Sequence, residues 1–175
     1  MNFTAMNLFL SEENISKHLE FLRTQRLRLS ILEKSIPALK GKAPLDIFKM
    51  RLDKDVKNET LNLLSNILSH ESFFSSFTEN VYTGSRGVKP DINCDKLVYD
   101  IYTEAMKNES GFLYITKDNG QIRIRHSNES NIPFISICPL LSLDLYEHAY
   151  FWDYGFNKDL YVKNALKQID LSKLY

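Results

Sequence analysis

The chain has 175 residues, 43% of them hydrophobic, and its 22 Lys and Arg balance its 22 Asp and Glu to a formal net charge of zero. That length buries a proper core as one domain or one compact unit of two lobes, while the neutral balance leaves no global electrostatic footprint for nucleic acid. No run approaches the ~20 apolar residues that span a bilayer, so a soluble chain is expected.

Ser11, followed by Glu12 and Glu13, marks a helix start with acids at the positive end of the dipole. Ile15, Leu19, Leu22, Leu29 and Leu32 then recur at helical spacing, interrupted by Arg26, up to a stop near Ser35-Ile36-Pro37. Arg23, Arg26, Arg28 and Lys34, with Lys40 and Lys42 beyond, form a basic patch that reads as a solvated helix face and a basic loop rather than a nucleic-acid site. A short helical stretch around Asp46 to Leu52 follows. Asn58 is the predicted cap of a second amphipathic helix through Leu61, Leu64, Ile67 and Leu68 to His70 and the cluster Phe73, Phe74 and Phe77.

Gly84-Ser85-Arg86-Gly87 and Pro90 separate this helical hairpin, residues 1–83, from a second lobe, 84–175. Asp91 to Asn108 reads as a helix. Phe112 to Thr116 and Ile122 to Arg125 alternate as strands about Lys117-Asp118-Asn119-Gly120, where Asn-Gly signals a tight hairpin. Pro133 to Leu143 gives a third, more buried strand, and Lys158 to Ile169 a final helix. The predicted class is α+β: a helical hairpin plus a lobe with a three-stranded antiparallel sheet and helices. Cys94 and Cys138 stand far apart in unlike contexts, so no disulfide is expected, and a reducing or organellar compartment fits better than secretion.

One stretch carries the chemistry. Leu143-Asp144-Leu145-Tyr146-Glu147-His148-Ala149-Tyr150 sets a carboxylate and an imidazole four residues apart among aromatics, and taken alone such a pair is more often a hydrogen-bonded structural couple than a metal site. With Pro139-Leu140-Leu141 before it and Asp153-Tyr154 after it, however, it resembles the P-L-L-x-x-D-x-W-E-H-A-Y-x-x-D-Y signature of iron/manganese superoxide dismutases. Ser69-His70-Glu71-Ser72-Phe73-Phe74 resembles that family's N-H-x-F-F/Y-W helix. The resemblance implies that His70, Asp144 and His148 are metal ligands. It aligns Leu22 with the position of the fourth ligand, a histidine of the first helix, and leaves His18 as a surface or hairpin residue one turn away.

In that register Arg26 and Ser30 stand where the family carries a His and a Tyr that gate substrate and relay protons. Asn66 is one methylene shorter than a family Gln, Tyr146 replaces a Trp, Leu166 and Leu171 replace tryptophans of the last helix, and Lys158 stands for an Arg. The resemblance therefore implies a vestigial metal site and no cofactor, with Glu147, His148, Tyr150 and Arg26 at a dimer interface. The expectation that follows is a non-catalytic, dismutase-fold structural subunit of a large mitochondrial assembly, most simply the small subunit of the mitochondrial ribosome. It would form a heterodimer with a second dismutase-like chain and make limited or no contact with RNA. Two alternatives stand: a diverged but active dismutase using iron or manganese, and an accessory subunit of a respiratory-chain or ATP-synthase complex.

Overall fold

The first long helix forms because its ends are specified on both sides. In the computed structural model, which describes residues 3–79, 93–127 and 139–174, a short α1 (Phe3–Met6) precedes α2 (Glu12–Ser35). The Ser11 hydroxyl accepts the Asn14 amide at 3.1 Å, one of the donors that a helix start leaves unpaired. Pro37 ends the run, and a single 3-10 turn, Pro37–Leu39, leads to α3 (Pro44–Lys49).

The second long helix, α4 (Lys54–Ser75), begins earlier than the sequence suggests. Asp53, not Asn58, is its cap: the Asp53 carboxylate accepts the Asp55 and Val56 amides and places a negative charge at the positive end of the dipole. A cap at Asn58 would have left Val56 outside the helix, whereas it packs on a small core of Leu39, Ile47 and Leu61 at the far end of the hairpin. Across the hairpin, Arg26 pairs with Glu71 at 2.6 Å and Arg28 with Glu59 at 3.3 Å, so two cations of the basic patch are met by acids of α4.

The linker assigned to Gly84–Pro90, and with it the boundary at 83/84, lies outside the described residues, as do Cys138 and the first part of the third predicted strand. Beyond the linker, α5 (Cys94–Lys107) is capped by Asn93, whose side chain accepts the Lys96 amide at 2.9 Å. Strands β1 (Phe112–Asp118) and β2 (Gln121–Ser127) form the expected hairpin. Asn119 (φ 47°) and Gly120 (φ 81°) both take the left-handed backbone that a type I′ turn demands.

Strand β3 (Leu141–Asp144) pairs antiparallel with β1 on its other side, giving the order β2-β1-β3. Phe112 to Thr116 of the central strand are all buried, while β2 alternates toward solvent. After β3 come a 3-10 turn (Glu147–Ala149), α6 (Phe151–Tyr154), α7 (Lys158–Lys167) and a last turn (Leu171–Leu174). The architecture is the α+β layout read from the sequence.

The main core gathers Phe73, Phe74, Phe77, Phe112, Tyr114, Leu143, Tyr161 and Val162 where α4, the sheet and α7 meet. Two further contacts lock the end of the hairpin to the C-terminal segment: the Thr78 amide donates to the Gln168 carbonyl and the Asp170 amide to the Ser76 carbonyl, both at 2.8 Å. The N-terminal helices and the sheet thereby share one core. Among the described residues no helix is long and apolar enough to cross a membrane.

Candidate metal centre

Asp144 ends β3, where its partner across the ladder is Phe112. Its side chain is fully buried. One carboxylate oxygen, Oδ1, accepts the Tyr146 amide at 2.9 Å, and this turn fixes the direction of the other, Oδ2. The following 3-10 turn swings His148 back over the same carboxylate, so that its Nε2 lies 3.2 Å from Asp144 Oδ2.

From the hairpin side, His70 on α4 brings its Nε2 to 3.7 Å from the same oxygen and 3.3 Å from His148 Nε2. Its Nδ1 donates to the Asn66 carbonyl at 2.6 Å. That bond places the ring proton on Nδ1 and leaves the Nε2 lone pair facing the cluster. Asn66 serves through its main chain only, since its side-chain amide donates to the Asn62 carbonyl of its own helix.

The fourth group overturns the register read from the sequence. His18, expected at the surface, is 1% exposed, and its Nε2 lies 3.2 Å from Asp144 Oδ2. Its ring packs against Phe73 (5.2 Å between centroids) and Phe74 (5.0 Å). Leu22, assigned to the ligand position, is buried one turn further along and belongs to the main core. The apolar stripe suggested that Leu22 holds the inward position, but inward-facing positions on a helix recur every turn, and Ile15, His18 and Leu22 all share that face. Shifted by one turn, the positions expected at Arg26 and Ser30 fall on Leu22 and Arg26.

His18, His70, Asp144 and His148 thus offer one donor atom each, all within 4.8 Å of one another. Three tests ask whether they fit a metal ion. Bonds of ~2.0–2.2 Å put neighbouring donor atoms ~3–3.5 Å apart, which matches the separations of 3.2, 3.2 and 3.3 Å. Next, Asp144 Oδ2 and His18 Nε2 are buried without an aligned hydrogen bond, a costly arrangement unless something else satisfies them. The donor set, finally, is three imidazoles and a carboxylate, which suits divalent first-row metals. The residues fit. The expectation of no cofactor is corrected by this cluster, in which all four ligand positions are filled.

The electrostatics agree with that chemistry. Burial pushes His18 down against the pull of Asp144, and it brings His70 down to about 4, so both rings are neutral ligands at physiological pH. For Asp144 burial works upward, but His148 and His18 beside it hold the carboxyl well below the usual range. Burial also opposes charge on His148, and the Asp144 carboxylate more than offsets it, leaving His148 raised.

Of the residues placed at an interface by the sequence, Glu147 is exposed, His148 keeps 36% of its side chain in solvent, and Tyr150 is buried against Tyr161 at 4.8 Å between rings. Arg26 is exposed and held by Glu71. Ser30 lies well along α2, lining a surface groove with Lys34 and Pro37. Tyr146 stacks on the His148 ring at 5.6 Å. Lys158 reaches back to the Asn108 and Glu109 carbonyls, and Leu166 and Leu171 are core residues.

Sequence reasoning missed Tyr161, whose hydroxyl donates to the Asp144 main-chain carbonyl at 2.7 Å inside the core. The only signal for it is a polar tip within the apolar face of Tyr161, Val162, Ala165 and Leu166, which promises a buried hydroxyl needing a partner. His18 did carry a signal, a histidine one turn from the aligned ligand position, but the apolar stripe through Leu19 and Leu22 outweighed it.

Residues 93–174 match the C-terminal domain of iron/manganese superoxide dismutases. An iron superoxide dismutase of Synechocystis sp. is 29% identical over 85 residues, covering 45% of this chain and 43% of that enzyme. One from Leptolyngbya boryana is 24% identical over 134 residues, 71% of this chain and 66% of that enzyme. The match thus spans less than two thirds of either relative. It takes in the segment from α5 to the last turn, Asp144 and His148 included, so it is this part of the chain that is similar to the iron/manganese superoxide dismutases.

Proposed function

We propose that this chain is a diverged superoxide dismutase whose iron or manganese ion is held by His18, His70, Asp144 and His148. The observation that carries the reading is the convergence of four donor atoms, two of them buried without a hydrogen bond, on one point between the lobes. Two relatives bear the name of iron superoxide dismutase. Dismutation takes two superoxide anions and two protons to dioxygen and hydrogen peroxide, and a bound redox metal supplies the alternating one-electron steps.

The protein's own part is to hold and orient. The Asn66 carbonyl fixes the His70 tautomer, and the Tyr146 amide and Tyr161 hydroxyl fix the side chain and main chain of Asp144. His18 Nδ1 has no hydrogen-bond partner, so this ring is steered by packing, against Phe73 and Phe74 on one side and the His70 and His148 rings on the other. Neutral His18 and His70 leave Asp144 as the one acid of the set, which carries a single negative charge once His148 gives up its proton to bind. Arg26 near the hairpin surface cannot relay protons as a tyrosine would, so protons for peroxide come from solvent at the exposed edge of His148.

A second reading, a docking module paired with a related chain inside a mitochondrial assembly, is favoured by one feature. Trp152 (59% exposed) and Phe156 (86%) lie just past Glu147 and Tyr150, where a partner surface is expected. Metal analysis together with a superoxide assay on the purified chain separates the two. About one iron or manganese per chain with rapid turnover supports the enzyme. A metal-free, inactive chain recovered with a larger mitochondrial complex supports the module.

A further inference from the structure

The cluster is closed on nearly every side. His18, His70 and Asp144 are at most 1% exposed, and Leu22, Phe73, Phe74 and Phe112 around them are equally shut off. Of the four, His148 alone reaches solvent, and two side chains with no part in the ligand set pack on its ring, Tyr146 from its own turn and Phe21 from the hairpin. Phe21, three residues after His18 on α2, stacks on the His148 ring at 5.1 Å (28° between planes) and on the His70 ring at 5.2 Å (44°). Those two imidazoles are themselves 5.5 Å apart, so the phenyl ring bridges them from outside. Phe21 is 37% exposed: one face meets the ligands and the other meets water.

An aromatic ring in that place has little reason to be there for the core alone, because a partly exposed Phe gives up part of the burial that favours it. Its position does restrict traffic. Among the described residues, the solvent-exposed side of the cluster is the edge of His148, and Phe21 covers that edge together with half-buried Tyr146. Resting on the proposed function, we propose that Phe21 is the lid of the metal centre, a positioning residue that holds the two outer ligand rings in place and limits exchange to small species. The hydrophobic shell of a metal site controls solvent access in this way.

The test is the rate of metal loss from the full chain loaded with Mn(II), measured after adding excess EDTA, for the wild type, Phe21→Ala and Phe21→Trp. The alanine variant is expected to release metal roughly 10–100-fold faster, the range over which groups surrounding a metal site act, with an unchanged starting stoichiometry. The tryptophan variant, which restores a ring over the gap, is expected to release no faster than wild type. Water-proton relaxation by the bound Mn(II) should rise in the alanine variant only. Equal release rates for wild type and Phe21→Ala overturn the lid. Should the alanine variant fail to fold, faster release from Phe21→Trp than from wild type overturns it as well. If the wild-type chain retains no metal after loading, the metal reading falls and the lid with it, an outcome distinct from equal rates among chains that do load.

Discussion

The two halves of the metal centre are built by different means. The sheet lobe supplies Asp144 and His148 from one turn of chain, a carboxylate and an imidazole four residues apart with opposite pKa shifts, each favouring the charged form of the other. The hairpin lobe supplies His18 and His70 from two helices, and burial keeps both neutral. A short motif can fix a charge couple by local geometry. Two rings on separate helices meet only through the packing of those helices, here against Phe73, Phe74 and Phe112, even though the Asn66 carbonyl orients the His70 ring on its own helix. The first kind of construction leaves a mark in the sequence and the second hardly any.

Removing the charge couple should do the most damage. Asp144→Ala leaves three imidazoles facing one another around a void, and metal affinity should fall by on the order of a hundredfold or more, since groups that merely support a ligand already cost 10–100-fold. Elemental analysis after dialysis reads this directly. Metal retained near one per chain would show that the hairpin histidines suffice and would erase the contrast.

Next in size is a paired test of the register. His18→Leu should lose stoichiometric metal. Leu22→His should gain none, because a turn of helix displaces the new ring by ~5.4 Å. It should also lower stability by ~1–3 kcal/mol, the usual cost of a polar group buried without a partner, seen as a lower urea midpoint. Tighter metal binding in Leu22→His would return the fourth ligand to the position first read from the sequence.

The pH dependence of the metal-free chain follows from the same contrast. His70 titrates near 4 when folded against 6.5 when unfolded. Between those values the unfolded chain binds the extra proton, so this group's contribution is intact above pH 6.5 and is lost as pH falls toward 4. The shift corresponds to about 3 kcal/mol, and lowered His18 adds in the same direction. Raised His148 opposes it, gaining stability as pH falls through its folded value. Urea midpoints at pH 7.5 and 5 should therefore fall on acidification, and a rise would mean that the sheet-lobe couple outweighs the hairpin.

The smallest expected effect is Ser11→Ala, about 1 kcal/mol for a lost helix cap, with metal content unchanged. A large loss of metal in this variant would mean that His18 is held by the helix start more than by the phenylalanines.

These differences explain what could be read in advance. The α+β order, the Ser11 and Pro37 limits of α2 and the Asn119-Gly120 turn were legible because each rests on a local preference: a cap, a missing amide donor, a left-handed backbone. Asp144 and His148 were legible through their spacing, and His70 through the aromatic run after it. His18 was not. A lone histidine on an amphipathic helix looks the same whether it faces water or three other ligands, and the apolar Leu22 beside it was the stronger periodic signal. Asp53 was passed over for the same reason in reverse: Asn58 stood closer to the visible apolar stripe, while the helix began where its amides were best satisfied.

Asp153 gives the contrast a direction in time. Its carboxylate accepts the Ser11 amide at 2.8 Å and the Asn14 side-chain amide at 3.0 Å, tying the first turn of α2 to a residue 142 positions later. At about 5–20 residues per second, a ribosome delivers that anchor roughly 7–30 s after Ser11 emerges. During synthesis the growing chain therefore holds His18 without the turn that orients its helix, and without Asp144 or His148. An emerging hairpin can bring together two imidazoles at most, too few to compete for scarce metal. On the proposed function, metal choice is thereby deferred until Asp144 and His148 have been made and all four donors are present.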